Sequence, residues 1–340
     1  MKKDMVKKQI RAILIVLVAL FAGVITPVAQ AATTTQSVAP TSNTNNGLKI
    51  SPVRRDVIAQ AGATTTVEVT VQNVQTGTAN LRAVVNDFIA SANESGQPAL
   101  ILDENQYAAS HSLKRFVGPI PNVTLKPNEA KNVKVNIIVP KNAAAGGYYG
   151  AVRFLPADNN VKNNVVLSAS LGSLILVRVP GDIHESLSVA SLDVRNQNVA
   201  RKLFTTPKDL TAVLRFQNQG DIQVEPFGNI SVRDMHGKEV MRQEINNTDP
   251  RGNVLPDSVR RFDVALKSLG KFGKYTIQGS FGYGTTGQLV QAKTTFYVVP
   301  LPLIITVGVI ILLIILGIIF IPKAIKGYNR RILRNARSKK

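Results

Sequence analysis

Thr64-Thr65-Thr66-Val67-Glu68-Val69-Thr70-Val71-Gln72-Asn73 places Val67, Val69 and Val71 on one face of an extended chain, with Thr66, Glu68, Thr70 and Gln72 on the other. A period of two marks a half-buried β-strand, because successive side chains leave the backbone on opposite sides. The pattern returns in the second half of the chain. There Ala212, Leu214 and Phe216 stand opposite Val213 and Arg215, and the run again closes on Gln217-Asn218. Two further correspondences follow in the same order. Leu125-Lys126-Pro127 precedes a strand bearing Val133 and Val135, as Leu255-Pro256 precedes Phe262 and Val264. Gly147-Tyr148-Tyr149-Gly150 leads into a strand, as Gly273-Lys274-Tyr275 does. This order repeats the grammar of one β-module twice.

Outward from these anchors, strand signals dominate. Asn132 to Val139 alternates, Val165 to Val179 is a long Val/Leu/Ile run broken by Gly172, and Leu289 to Val299 is β-rich. Turn residues punctuate the runs at Gln75-Thr76-Gly77, Asn93 to Gly96, Gln219-Gly220-Asp221 and His236-Gly237-Lys238. Short strands separated by such turns predict an all-β chain of two tandem Ig-like β-sandwich domains. The expected spans are 48–181 and 182–299, with the boundary near Val179-Pro180-Gly181-Asp182. The one helix candidate of any length in this body is Glu104 to Arg115; its period is weak, and a loop is the alternative.

The two ends of the 340-residue chain read differently. Residues 1–31 have a basic start, an apolar run from Ala12 to Ile25 and an Ala29-Gln30-Ala31 site, the pattern of a cleaved signal peptide. Residues 32–47 are rich in Thr, Ser, Asn and Ala and read as a flexible linker. Residues 301–321 read as a C-terminal transmembrane helix, since Leu303 to Ile321 carries no charge and is long enough to cross a hydrocarbon core of about 30 Å. Residues 322–340 form a basic tail holding eight Lys and Arg and no acid. By the positive-inside rule that tail is cytoplasmic and the body extracellular, so the expected location is a single pass in the cell membrane.

The formal net charge is +20, with 41 Lys and Arg against 21 Asp and Glu. More than half of that excess flanks the two apolar ends, so it reads as membrane topology, with no nucleic-acid partner. The chain has no cysteine, which excludes disulfide scaffolds, cysteine nucleophiles and thiolate metal sites. His111, His184 and His236 lie in three separate segments without ligand-like spacing. Gly282-Tyr283-Gly284-Thr285-Thr286-Gly287 matches a dinucleotide pattern, but a strand rather than a helix follows it, so a hairpin turn is the expectation. No catalytic set assembles, no cofactor or metal is implied, and a non-enzyme is expected. The candidate ligand-binding residues are Tyr148 and Tyr149, set among glycines, and the basic pair Arg54-Arg55 beside a strand. Adjacent tyrosines on a strand should point one inward and one outward.

Ile50-Ser51-Pro52 near the start of the body, and the stretch from Pro140 through Gly146-Gly147-Tyr148-Tyr149-Gly150-Ala151-Val152-Arg153-Phe154, resemble the WxL-interacting proteins of Gram-positive bacteria. The second β-domain, single span and basic tail fit the same layout. Pro52-Val53-Arg54-Arg55 stands where that family's P-x-N-Q element is expected. The resemblance implies a peptidoglycan-binding first domain and a second domain for a host surface or partner. The start is also similar to the first domain of periplasmic pilus chaperones, which lack a membrane span. The expected function is a membrane-anchored cell-surface binding protein for cell-wall peptidoglycan or a surface protein, with the bilayer met through 301–321. The alternative is a membrane-tethered chaperone or scaffold for assembly of exported surface proteins.

Overall fold

A computed structural model describes residues 47–157 and 172–337, with side chains to residue 329. The expected signal peptide, the linker before residue 47 and the part of the apolar run before Gly172 lie outside the described residues.

Among the described residues the first half is a β-sandwich of nine strands: β1 (Leu48–Ser51), β2 (Arg54–Ile58), β3 (Thr64–Asn73), β4 (Ala79–Ala90), β5 (Pro98–Leu100), β6 (Val123–Leu125), β7 (Ala130–Ile138), β8 (Gly146–Pro156) and β9 (Gly172–Val179). One sheet has the order β1-β3-β7, and the other β2-β9-β8-β4-β5 with β6 also on β4. The alternation in β3 sends Val67, Val69 and Val71 into the core against Val133, Val135 and Ile137 of β7. The opposite sheet contributes Val152, Phe154, Ile175 and Val177. The wet face of the first sheet is stitched by cross-strand polar pairs. Thr66 Oγ1 donates to Asn136 Oδ1 at 2.9 Å and Thr70 Oγ1 to Asn132 Oδ1 at 2.8 Å.

The second half is another sandwich: β10 (Leu187–Asn196), β11 (Val199–Ala200), β12 (Leu203–Phe204), β13 (Leu210–Asn218), β14 (Phe227–Arg233), β15 (Glu239–Ile245), β16 (Ser258–Ala265), β17 (Gly273–Tyr283) and β18 (Gln288–Val298). Its sheets are β11-β10-β13-β16 and β12-β18-β17-β14-β15. Phe216, Phe281 and Phe296 are fully buried, and Phe216 meets Phe281 edge to face at 5.0 Å. That T-shaped arrangement suits the ring quadrupoles.

The repeat visible in the sequence is a repeat of topology. In each sandwich the first strand pairs antiparallel with one sheet, β1 on β3 and β10 on β13. The chain then crosses over and pairs parallel with the last strand of the other sheet, β2 on β9 and β12 on β18. The Gln-Asn pairs sit at equivalent points. Asn73 and Asn218 have no exposed surface. Asn73 Nδ2 donates to the carbonyls of Gly77 and Leu125, and Oδ1 accepts from Gln75 N. Asn218 Nδ2 donates to the carbonyls of Ile222 and Val254, and Oδ1 accepts from Gly220 N. Each amide closes its own turn and ties that turn to the strand beyond it. Gly146 and Gly273 are equivalent as well. Each opens its strand, pairs with the last residue type of the neighbour, Val179 or Val298, and adopts a positive φ of 138° or 146°.

Glu104 to Arg115 is not a helix. Only a short 3-10 turn, Lys114–Phe116, is regular there. The buried carboxylate of Asp87 on β4 holds the segment instead, accepting from Ala108 N, Ser112 Oγ and Lys114 N at 2.6–2.9 Å. The glycine motif at 282–287 is a hairpin turn between β17 and β18, with Gly284 and Gly287 at positive φ. Beyond β18, α1 (Leu301–Arg337) is long and apolar enough over Leu301–Asn329 to cross a membrane, and its side chains are exposed. It runs on through Pro322 rather than stopping there, because one missing N–H removes a single bond from an otherwise continuous helix.

Candidate functional site

The inner and outer faces of the sheet β2-β9-β8-β4-β5 separate the sequence-predicted residues. Tyr148 points toward the core of the first sandwich, its ring 4.6 Å from Phe116, and its hydroxyl donates to Ala144 O at 2.9 Å. Partial burial raises its pKa. Tyr149 points to the outer face, but that face is covered and the ring is only 2% exposed. It packs with Phe88, Ala151 and Leu176 against Leu255 of the second sandwich. Its hydroxyl donates to Gln223 Oε1 at 2.7 Å and accepts from Gln223 N at 2.9 Å. Burial raises the phenol's pKa strongly, so it is neutral at any physiological pH. The alternation expected of two adjacent tyrosines is present, and the outward one is buried because a second sandwich lies on it.

Arg54 and Arg55 also part company, as neighbours on a strand must. Arg54 Nη2 reaches Glu225 Oε1 of the second sandwich at 3.1 Å, and its Nε lies 2.9 Å from Asp56 Oδ2. Burial works against its charge, but Asp56 and Glu225 outweigh that and hold its pKa above the usual arginine value. Arg55 stays exposed at the sheet edge. Arg260 lies beside the same junction, its Nη1 donating to Asn253 O at 2.8 Å. Burial, and then the nearby Arg54 charge, lower its pKa. Arg215 clamps both oxygens of Glu94 across the junction, with Nε to Oε2 at 2.7 Å. Arg54, Tyr149, Glu94 and Arg215 thus hold two sandwiches together.

A second cluster, missed by pattern reading, lies toward the other end of the same outer face. Arg82 on β4 grips Glu104 with two bonds of 2.9 and 2.7 Å. The hydrogen bonds from Arg82 hold the Glu104 carboxyl below the usual carboxylate range. Arg153 on β8 donates to Asn86 Oδ1 at 3.0 Å, and burial lowers its pKa. Lys114 Nζ sits 4.6 Å from the centroid of the Tyr107 ring and the Arg115 guanidinium 5.2 Å from it. Cations at such distances are attracted to the ring face. Tyr107 is 46% exposed, and Leu102 nearby is exposed as well. Two cations, Lys114 and Arg115, therefore flank an exposed aromatic ring, while Arg82 is paired with Glu104. No periodicity marks this cluster, since it forms only when Asp87 folds residues 101–117 over the sheet. The only hint in the sequence is the aromatic and basic content of Tyr107 and Lys114-Arg115 in one loop. Among the described residues no group of His, Cys, Asp and Glu is placed to hold a metal ion.

Comparison with known proteins gives two kinds of likeness. The family model of the WxL interacting protein, peptidoglycan binding domain, matches residues 55–155. No curated protein matches the chain. Among solved structures, the chain is similar to the class 5 fimbriae chaperone CfaA at 11% identity, over 75% of this chain and 100% of that one, with a TM-score of 0.38. It is also similar to the E. coli chaperone DraB at 17% identity, over 74% and 96%, with a TM-score of 0.31. The matched family residues include Arg82, Tyr107, Lys114, Arg115 and Arg153 and begin just after Arg54. Residues 55–155, the part of the first sandwich that carries Tyr107 and its cations, are thus similar to the peptidoglycan binding domain of the WxL interacting proteins.

Proposed function

We propose that the chain is a non-enzymatic cell-surface protein, anchored by α1, that binds peptidoglycan through the outer face of its first sandwich. The family match over residues 55–155 carries this reading. The chemistry of the face supports it. Peptidoglycan offers sugar rings and acidic stem peptides, and an exposed tyrosine between Lys114 and Arg115 suits both. Aromatic faces take the apolar faces of sugars, and the cations meet carboxylates. Arg55, exposed on β2 but on the opposite side of the strand from Arg54, lies outside the proposed surface. Tyr148, Tyr149 and Arg54 support it from the core and the junction. In the same reading the expected divisions stand at 48–181 and 182–299, and the basic end of α1 faces the cytoplasm.

Sedimentation of residues 47–299 with purified peptidoglycan, at low and high salt, tests the proposal. Retention at high salt is the expected result, because a shaped site depends less on screened charge than a diffuse basic surface does. Retention should survive truncation near residue 181. Loss of all binding at moderate salt, or co-purification of protein clients without glycan binding, would overturn it.

A further inference from the structure

The second sandwich has its own unassigned surface. On the outer face of β14, β17 and β18 an open trough of about 400 Å³ is lined by Asn229, Ser231, Gln278, Ser280, Gln291 and Lys293. The register places these side chains in two rungs. Asn229, Ser280 and Gln291 face one another across the strands, as do Ser231, Gln278 and Lys293. No hydrogen bond or ion pair within the protein occupies any of the six side chains among the described residues. This differs from the wet face of the β1-β3-β7 sheet, where Thr66 and Thr70 are each spent on a cross-strand asparagine. Amide and hydroxyl groups left side by side without bonding each other are available to a ligand.

We infer that this trough is a second, separate glycan-binding site, and that it favours a sugar chain bearing a carboxylate. Each sugar hydroxyl both donates and accepts, and glutamine, asparagine and serine side chains do the same. Lys293 is exposed, has no carboxylate partner and supplies one cation. A peptide fits less well. The trough crosses the face of the three strands, whereas a peptide strand adds at a sheet edge; the nearest open edge is that of β18, which meets β12 only at Tyr297 and Val298. The apolar side chains nearest to it, Phe227 and Leu289, stand exposed on the next rung on either side of Gly282, outside the trough lining. The site does not rest on the peptidoglycan reading, because it lies in the other sandwich.

The test is calorimetric titration of the full chain in detergent micelles with two probes, a galacturonic acid hexamer and a neutral galactose hexamer. Both should bind, the acidic one more tightly. Lys293→Gln should abolish the difference between the probes, and Gln278→Ala with Gln291→Ala should weaken both by about tenfold or more, the loss of roughly one to two net hydrogen bonds. These residues are on the surface, so the melting temperature should not move. Sedimentation with peptidoglycan by the same variants should be unchanged, which separates this site from the first sandwich. Binding of neither probe, or binding that the trough variants leave intact, would overturn the inference.

Discussion

Asn73 and Asn218 show what a single side chain contributes to this fold. Each is wholly buried and satisfies a turn amide and two or more carbonyls. Alanine at either position leaves those backbone groups orphaned, at a cost of about 1–3 kcal/mol per unsatisfied buried group. Asn73→Ala and Asn218→Ala should therefore each lower the stability of their own sandwich by a similar amount, read as two shifted transitions in thermal melts. Equal stability in either variant would contradict the role assigned to the repeat. Glycine tells a related story. A Cβ on Gly146 would lie 2.8 Å from Asp221 O and would be held at a positive φ of 138°. A Cβ on Gly287 meets nothing and bears only the cost of φ 68°. Gly287→Ala should cost about 1–2 kcal/mol from the left-handed backbone alone. Gly146→Ala should cost more, because it also pushes on the second sandwich. Denaturant melts of the pair give the ranking directly, and a reversed order would refute the contact.

At the scale of elements, β3 and β7 are legible in the sequence because the sheet they build has one dry and one wet face. Alternation survives there and fixes the register of Val67, Val69 and Val71. β4 is not legible, although it is among the longest strands. Asn86, Asp87 and Phe88 are buried in succession, because the core covers one face while the 101–117 segment and the second sandwich cover the other. Two buried faces erase the period of two. The 104–115 segment failed in the opposite sense. Its faint helical period was overridden by one tertiary group, the Asp87 carboxylate. The candidate site was half legible for the same reason. The tyrosine and arginine pairs were visible as neighbours, but which member of each turns toward the junction depends on Gln223 and Glu225, more than 70 residues further along the chain. Asp87→Ala should free the segment without unfolding the sandwich. Amide exchange should rise at residues 101–117 while β3 and β7 stay protected, and unchanged protection there would contradict the anchor.

Over the whole molecule, the two sandwiches are joined by ionic and polar links whose strength depends on pH. The hydrogen bonds from Arg215 hold the Glu94 pKa below its ordinary value, against a smaller opposing effect of burial. A depressed carboxyl pKa adds stability that is fully present above the unfolded-state pKa and is lost as pH falls through the folded value. Glu94→Gln should thus lower the melting temperature at neutral pH and converge on the natural chain as the solution is acidified below about pH 4.5, the ordinary carboxyl value. A gap that stays constant with pH would remove the charge from the explanation. Below the sandwiches, α1 gives the chain an apolar length that fits a bilayer, and its end carries the basic residues. The body it carries is proposed to meet the wall at Tyr107 and its cations. The most direct measurement is peptidoglycan sedimentation by a Tyr107→Ala, Arg115→Ala double variant, run at high salt beside the natural chain. The account predicts about tenfold weaker retention with an unchanged melt, and retention equal to that of the natural chain would contradict it.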